Sequence, residues 1–399
     1  MIPKRRKTMG QSAVARRTGM RQVRGVSPSS LGQLLDLFEE NFRARDELGA
    51  SVSVWWRGEE VLSAAEGWCE KEHQRRWTVD TLVPVYSATK GPASATLLMA
   101  LDARGLGPET PVREVWPGSP LAEATFGELL SHQCGLAALD RRASLWDHAE
   151  VVEAIEAQRP AWRPGEGHGY HPRTFGALLE EPLRRLTGGT LGQEWWEKIA
   201  APLGLDFWIG LPEKEWPRVA RLYPGKAAAE DLQSGFYKEF NTEGTLTRRA
   251  FGSPRGLHSV QEMNDPKAWT AGFPAMGGVG TASALAKFYQ AAIGAIDSPL
   301  SDPVKRALAT VRVSGDDRVL IQPTAFSSGC QLDPLDGEGR KSRELYGPSV
   351  HAFGHPGAGG SHALGAPDSG VSFAYVMNQM ELSVMPGPKS IGLVKALFS

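Results

Sequence analysis

The chain has 399 residues, 41% of them hydrophobic and 22% charged, and 44 Lys and Arg against 45 Asp and Glu give a formal net charge of -1. That is a globular composition, and its charge balance gives no reason to expect nucleic acid or an anionic membrane as partner. No apolar run reaches the roughly 18 residues a membrane span needs, and the three cysteines, Cys69, Cys134 and Cys330, fit neither a zinc motif nor a disulfide framework.

Residues 1–28 form a basic leader (Lys4, Arg5, Arg6, Lys7, Arg16, Arg17, Arg21, Arg24) with no acid before Asp36. A secretory signal places an apolar stretch after such a start. None follows, so the leader is expected to be solvated and disordered, and the chain cytoplasmic. Residues 30–46 space Leu31, Leu34, Leu35 and Phe38 as a helix does, with Ser30 the expected N-cap. Ala50 to Trp56 reads as a strand, and Arg57-Gly58 as a turn into a second one, Glu60 to Trp68. Leu82 to Tyr86 is a short apolar run. Residues 88–104 then read as a buried helix ending at Gly105, with a bend or 3₁₀ onset near Pro92.

Helical patterns follow at 125–133, 148–158, 174–187 and 191–200, whereas 225–268 looks polar and irregular, as a cleft border does. Glycines 277, 278 and 280 read as a tight turn before a helix at Thr281–Ile293. Strand patterns return at Gln322 to Gln331, Ser349 to Phe353 and Val371 to Asn378, before a last helix at Lys389 to Phe398. Strands at both ends with helices between them predict an α+β fold. Its antiparallel sheet is flanked by helices, with residues 29–86 and 271–399 forming the sheet lobe and 87–270 an inserted, mostly helical lobe.

The chemistry centres on Ser87-Ala88-Thr89-Lys90, the one Ser-x-x-Lys in the chain. Helical i and i+3 positions share a face, so hydroxyl and amine can meet. A helix N-terminus favours an alkoxide over a hydroxyl, and burial lowers a lysine pKa until the amine can act as a base. The same four residues on a solvated helix face would carry no function, but these stand at a strand-to-helix junction.

With its context, VPVYSATKGPASATLLMALDARG, the motif resembles that of the serine β-lactamase and penicillin-binding protein superfamily. FGELLSHQCGL (126–136), the stretch 169–196 and PLGLDFWIGLP (202–212) extend the likeness, nearest to class C β-lactamases and the family VIII carboxylesterases. The resemblance implies a β-lactamase/transpeptidase-like fold, an acyl-enzyme on Ser87 and Lys90 as its partner. The family's Tyr-x-Asn corresponds to Tyr170-His171-Pro172. Tyr170 is then expected to relay protons, or to stand as a phenolate beside Lys90, while Pro172 replaces an amide that would support Lys90 and hold a substrate amide. The family's Lys-Thr-Gly is replaced by His355-Pro356-Gly357. The backbone N–H groups of Ser87 and Ala358 are expected to form the oxyanion hole, with Gly357 allowing the backbone close to the acyl group. His355 supplies no fixed positive charge near neutral pH. Pro356 requires an edge strand, or an N–H side that is free at that point.

Other patterns carry less. His168-x-x-His171 and His351-x₃-His355, with His362 nearby, have metal-like spacing but no acidic or cysteine companion, so no metal is expected. No Gly-x-Ser-x-Gly elbow occurs, and the glycines at 277–280 do not follow Rossmann order, so no nucleotide cofactor is expected either. Among the tryptophans, Trp162 and Trp208 are candidates to wall an acyl pocket. The expected activity is hydrolysis of short-chain, uncharged carboxylic esters, with a small-molecule ester as sole partner. A β-lactamase or D-alanyl peptidase, an acyltransferase or amide hydrolase, and a catalytically silent binding module on the same scaffold are the alternatives.

Overall fold

The computed structural model describes residues 26–226 and 234–399; the basic leader to residue 25, and 227–233 of the stretch expected to be irregular, lie outside the described residues. Helix α1, Pro28–Ala44, begins two residues before the sequence suggests. Ser27, not Ser30, is its N-cap, its hydroxyl accepting the Ser30 N–H at 2.9 Å while Ser30 Oγ accepts the Ser27 N–H.

Strands β1 (Gly49–Trp56) and β2 (Glu59–Gly67) form the expected hairpin. Arg57 and Gly58 both take positive φ, 47° and 90°, as a two-residue turn matched to strand twist requires. The later strands are β3 (Val83–Pro84), β4 (Phe207–Trp208), β5 (Val279–Gly280), β6 (Val313–Asp316), β7 (Pro323–Phe326), β8 (Gln331–Leu332), β9 (Phe353–Pro356), β10 (His362–Ala366) and β11 (Val371–Met377). Eight of them make one sheet in the order β2-β1-β11-β10-β9-β8-β7-β6, antiparallel throughout, with the remaining three in a small sheet ordered β3-β5-β4. The fold is α+β of the β-lactamase/transpeptidase kind.

The chain's two ends meet in the sheet because β11 is apolar on both faces. Phe373, Tyr375 and Met377 join Leu34 and Phe38 of α1 and the C-terminal helix Pro388–Leu397 on one side. Ala374 and Val376 turn to the other, where the helix Ala282–Ala292 packs among the core residues. That period of two is strand geometry, and burial on both faces explains the uninterrupted apolar run.

Several expectations move. Gln322 to Gln331 is two strands with a turn between them, and Ser349 to Ala352 is a turn ahead of β9. β10, His-Ala-Leu-Gly-Ala, gives little strand signal because its residues are small, as close helix packing demands: a Cβ at Gly365 would stand 2.7 Å from Ile293 Cγ2. Residues 234–268 are not irregular but carry helices Gly235–Asn241, Leu246–Gly252 and Val260–Met263. β9 is an inner strand. Gly357 N–H bonds Ser361 O on the β10 side, so Pro356 turns toward β8, which has already ended at its pairing with Gly354. Proline is tolerated because no acceptor is left waiting there.

Burial also falls on imidazoles. His171, His355 and His362 are buried, and loss of hydration pushes each pKa down to about 3. Unfolded, they bind protons near pH 6.5, so the unfolded chain takes up more protons than the folded one on acidification. Their contribution is fully present above pH 6.5 and is lost progressively toward pH 3. Urea titrations between pH 8 and 4 are expected to show stability falling below pH 6.5; a flat profile would contradict neutral buried imidazoles. Phe373→Ala is expected to cost about 3–5 kcal/mol in the same assay, since its fully buried ring bridges β11 and the terminal helices.

Candidate active site

Ser87 opens a 3₁₀ turn, Ser87–Thr89, that runs directly into helix α2, Lys90–Asp102. The 3₁₀ onset therefore lies at the serine rather than at Pro92. Three residues per turn eclipse positions i and i+3, which sets Lys90 over Ser87. Tyr86 before it takes φ 49°, a left-handed conformation uncommon for a residue with a Cβ. That bend ends the strand-like run and turns the chain into the helix.

Lys90 is fully buried and its Nζ lies within hydrogen-bond distance of three oxygens: Ser87 Oγ at 3.3 Å, Pro172 O at 3.0 Å and Ala275 O at 2.8 Å. Among the described residues no carboxylate pairs with it. Burial first, and the Arg173 charge second, hold its pKa well below the ordinary lysine value. The two carbonyls can only accept. A neutral amine has two N–H bonds to give them, which leaves its lone pair directed at the Ser87 hydroxyl. Pro172 thus lacks the family's side-chain amide but supplies its own backbone carbonyl to Lys90.

Tyr170 sits in the loop before the helix Phe175–Thr187, with Lys90 Nζ 4.8 Å from its ring centroid. Its ring stacks on Phe326 (6.1 Å, 9°), meets His132 edge-on at 4.9 Å and lies 5.9 Å from the His355 ring. Burial raises its pKa, an interaction with the Ser87 side chain opposes the rise, and the Asp317 charge adds to it. Tyr170 is therefore a neutral phenol at physiological pH, not the phenolate that proximity to Lys90 suggested.

Asp317 was not singled out in the sequence. Its fully buried carboxylate accepts N–H bonds from Tyr170 at 3.0 and 3.2 Å, from Val319 and Leu320 at 2.8 Å each, and from the Thr324 hydroxyl at 3.0 Å. It fixes the backbone of Tyr170. Its bonds to residues two and three further on are an Asx-type turn, a signal the sequence does carry; the bond to Tyr170 spans 147 positions and is not readable locally. His132 is a second such residue: at φ 63°, its Nδ1 accepts the His171 N–H at 3.2 Å against the back of Tyr170.

Gly357 is required by a different neighbour from the one expected. A Cβ there would stand 2.0 Å from Val85 O, so the close approach is between β9 and the segment leading to Ser87. This sets β9 against the turn that carries Ser87, and among the described residues neither the Ser87 nor the Ala358 N–H makes a backbone hydrogen bond. His355 is buried, its Nδ1 donating to Pro356 O at 2.8 Å, which leaves Nε2 a bare acceptor. Of the two metal-like pairs, His351 of the second meets the Asp368 carboxylate through Nδ1 at 3.0 Å, and the first is engaged within the protein. His168 Nε2 meets Thr324 Oγ1 at 2.7 Å, and His171 uses both nitrogens on Gly169 O and Leu136 N. Among the described residues no cluster of three or more His, Cys, Asp or Glu could hold a metal ion, and no helix is long and apolar enough to cross a membrane.

Comparison with known proteins shows the family and the fold. The sequence model of the Beta-lactamase family matches residues 36–390. An esterase/β-lactamase of Mycobacterium tuberculosis, LipL, is 30% identical over 90% of this chain and 84% of its own length. The structure of a family VIII carboxylesterase superposes with TM-score 0.81 at 29% identity, covering 94% of this chain and 98% of that one. A penicillin-binding protein homolog from Caulobacter crescentus gives 0.79 at 31%, covering 93% and 98%. A class C β-lactamase at 14% identity and TM-score 0.67 shares the fold. The chain belongs to the Beta-lactamase family and is a serine hydrolase of the esterase/β-lactamase type.

Proposed function

We propose that the protein hydrolyses short-chain, uncharged carboxylic esters through an acyl-enzyme on Ser87. The observation that carries this reading is the Lys90 amine, its N–H bonds taken by the Pro172 and Ala275 carbonyls and its third direction given to Ser87 Oγ at 3.3 Å. Lys90 takes the Ser87 proton as Oγ attacks the ester carbonyl carbon. The oxygen that becomes negative is met by the Ser87 and Ala358 N–H groups, a contribution of several kcal/mol in such sites. As the intermediate collapses, the C–O bond to the alcohol breaks. The leaving oxygen takes the Tyr170 proton, and Tyr170 is reprotonated from the Lys90 ammonium. Water then repeats the sequence on the acyl-enzyme, releasing the acid and restoring Ser87.

Substrate charge is where this chain departs from β-lactam chemistry. In place of a cationic lysine stands His355, a buried neutral imidazole whose pKa is pushed down to about 3. A substrate carboxylate finds no counter-charge there, while a neutral ester loses nothing. Pro172 likewise offers no amide to a substrate side chain. The neighbour titled a family VIII carboxylesterase supports an ester as the bond cleaved, while LipL is named for both esterase and β-lactamase.

Ser87→Ala is expected to abolish p-nitrophenyl butyrate hydrolysis and to prevent mass addition by a fluorophosphonate; full activity in that variant would sink the mechanism. Tyr170→Phe should lower kcat by roughly 10²–10⁴-fold with KM little changed, the size of a lost proton transfer. On one preparation, acetate and butyrate esters are expected to turn over far faster than nitrocefin. His355→Lys should narrow that ratio, and a ratio that widens or stays fixed would remove His355 as the determinant of substrate charge.

A further inference from the structure

A cavity of about 540 Å³ includes Ala275 and Arg173 in its lining but none of Ser87, Lys90 and Tyr170. Its volume falls in the range of about 300–1,000 Å³ usual for small-molecule sites. Trp146 and Trp196 line it, at 38% and 39% exposure the two exposed tryptophans among the described residues. Both are held in place by other rings of the same wall: Trp196 stacks on Trp208 at 5.5 Å and 11°, and Trp146 meets Phe273 edge-on at 5.1 Å. Half-exposed indoles fixed in this way present flat apolar faces to whatever enters.

One charged group of the lining has no ion pair. Arg173 is 5% exposed and donates to Pro254 O, Gly256 O and Leu257 O, all neutral carbonyls; no carboxylate pairs with it among the described residues. Its Nη1 also meets Met276 Sδ at 4.0 Å, so of the five N–H donors of a guanidinium one remains. The other ionisable groups of the wall are accounted for. Glu180 is held by Arg184 at 2.6 Å and by the Leu191 N–H at 3.1 Å, His148 meets Glu181 at 2.9 Å, and Glu197 lies exposed. Glu262, outside the lining, attracts Arg173, but among the described residues no carboxylate forms an ion pair with it.

We propose that this cavity binds a monocarboxylate with a planar aromatic body, its carboxylate on Arg173 and its ring against the Trp146 and Trp196 indoles. The proposal does not depend on the reading of Ser87. Since the Ala275 carbonyl that helps hold Lys90 belongs to the same wall, the occupant lies one residue away from the Lys90 site.

The test uses the full chain carrying Ser87→Ala, so that acylation plays no part. 1-Naphthoate and its uncharged isostere 1-naphthamide are titrated separately by calorimetry and by tryptophan fluorescence. One saturable site for naphthoate is expected, with naphthamide at least tenfold weaker, as a charge-assisted hydrogen bond implies. Trp196→Ala should weaken naphthoate at least tenfold, and Arg173→Gln should erase the preference for the anion. Arg173 also ties down residues 254–257, so if that variant does not fold, the amide comparison and Trp196→Ala decide. Absence of saturable binding, equal binding of acid and amide, or binding untouched by Trp196→Ala would each overturn the proposal.

Discussion

The hydrogen bonds from Lys90 Nζ to two backbone carbonyls hold the whole arrangement together. A buried lysine normally requires an anion, and without one it sheds its proton. Here the carbonyls of Pro172 and Ala275 satisfy the amine without supplying charge, so the nitrogen is at once well bonded and weakly basic. Each carbonyl comes from a different part of the chain, one leading into the helix Phe175–Thr187 and the other from the segment before β5. The relative placement of three remote stretches therefore reduces to whether one nitrogen keeps its partners. The 3₁₀ turn at Ser87 converts that placement into a hydroxyl at 3.3 Å.

How far all this could be read from the sequence depends on the range of each interaction. Ser87 and Lys90 are three residues apart, and their spacing carries its own geometry. The β1–β2 hairpin and the apolar run of β11 were equally plain, because turn chemistry and a period of two are local. β10 was missed because its small residues answer to a helix packed over them. The start of α1 was misplaced because Ser27 and Ser30 cap it together, and either serine alone looks sufficient. Pro172 gives the sharpest case. Its side chain announces a loss relative to the family, whereas its carbonyl, present in every residue and so invisible to a motif, keeps the function of holding Lys90.

Asp317 shows the same limit from the other side. Asp-x-Val-Leu reads as a turn in the sequence, and a turn it is, with two of its bonds closing on Val319 and Leu320. The bond that bears on the site reaches Tyr170 across the molecule. A buried carboxylate with four donor groups around it is costly to disturb, and the tyrosine inherits that rigidity through its backbone. Tyr170 is gripped on its ring by Phe326 and His132 and on its N–H by Asp317, which leaves the hydroxyl as its least constrained part.

Two opposite charges then flank the pair proposed to exchange protons. Asp317, behind Tyr170, makes the phenolate less favourable and keeps the phenol protonated. Arg173, near Lys90, makes the ammonium less favourable and helps keep the amine free. The imidazoles between them, His132, His171 and His355, are held neutral by burial and screen neither. A base that is unprotonated and an acid that is protonated at the same pH are what a two-way proton transfer through one serine needs. The fold achieves this without charging the site itself, and a neutral site with no cation at the His355 position has little hold on an anionic substrate. Catalytic readiness and the proposed preference for uncharged esters thus have a common origin, the exclusion of net charge from the space around Ser87.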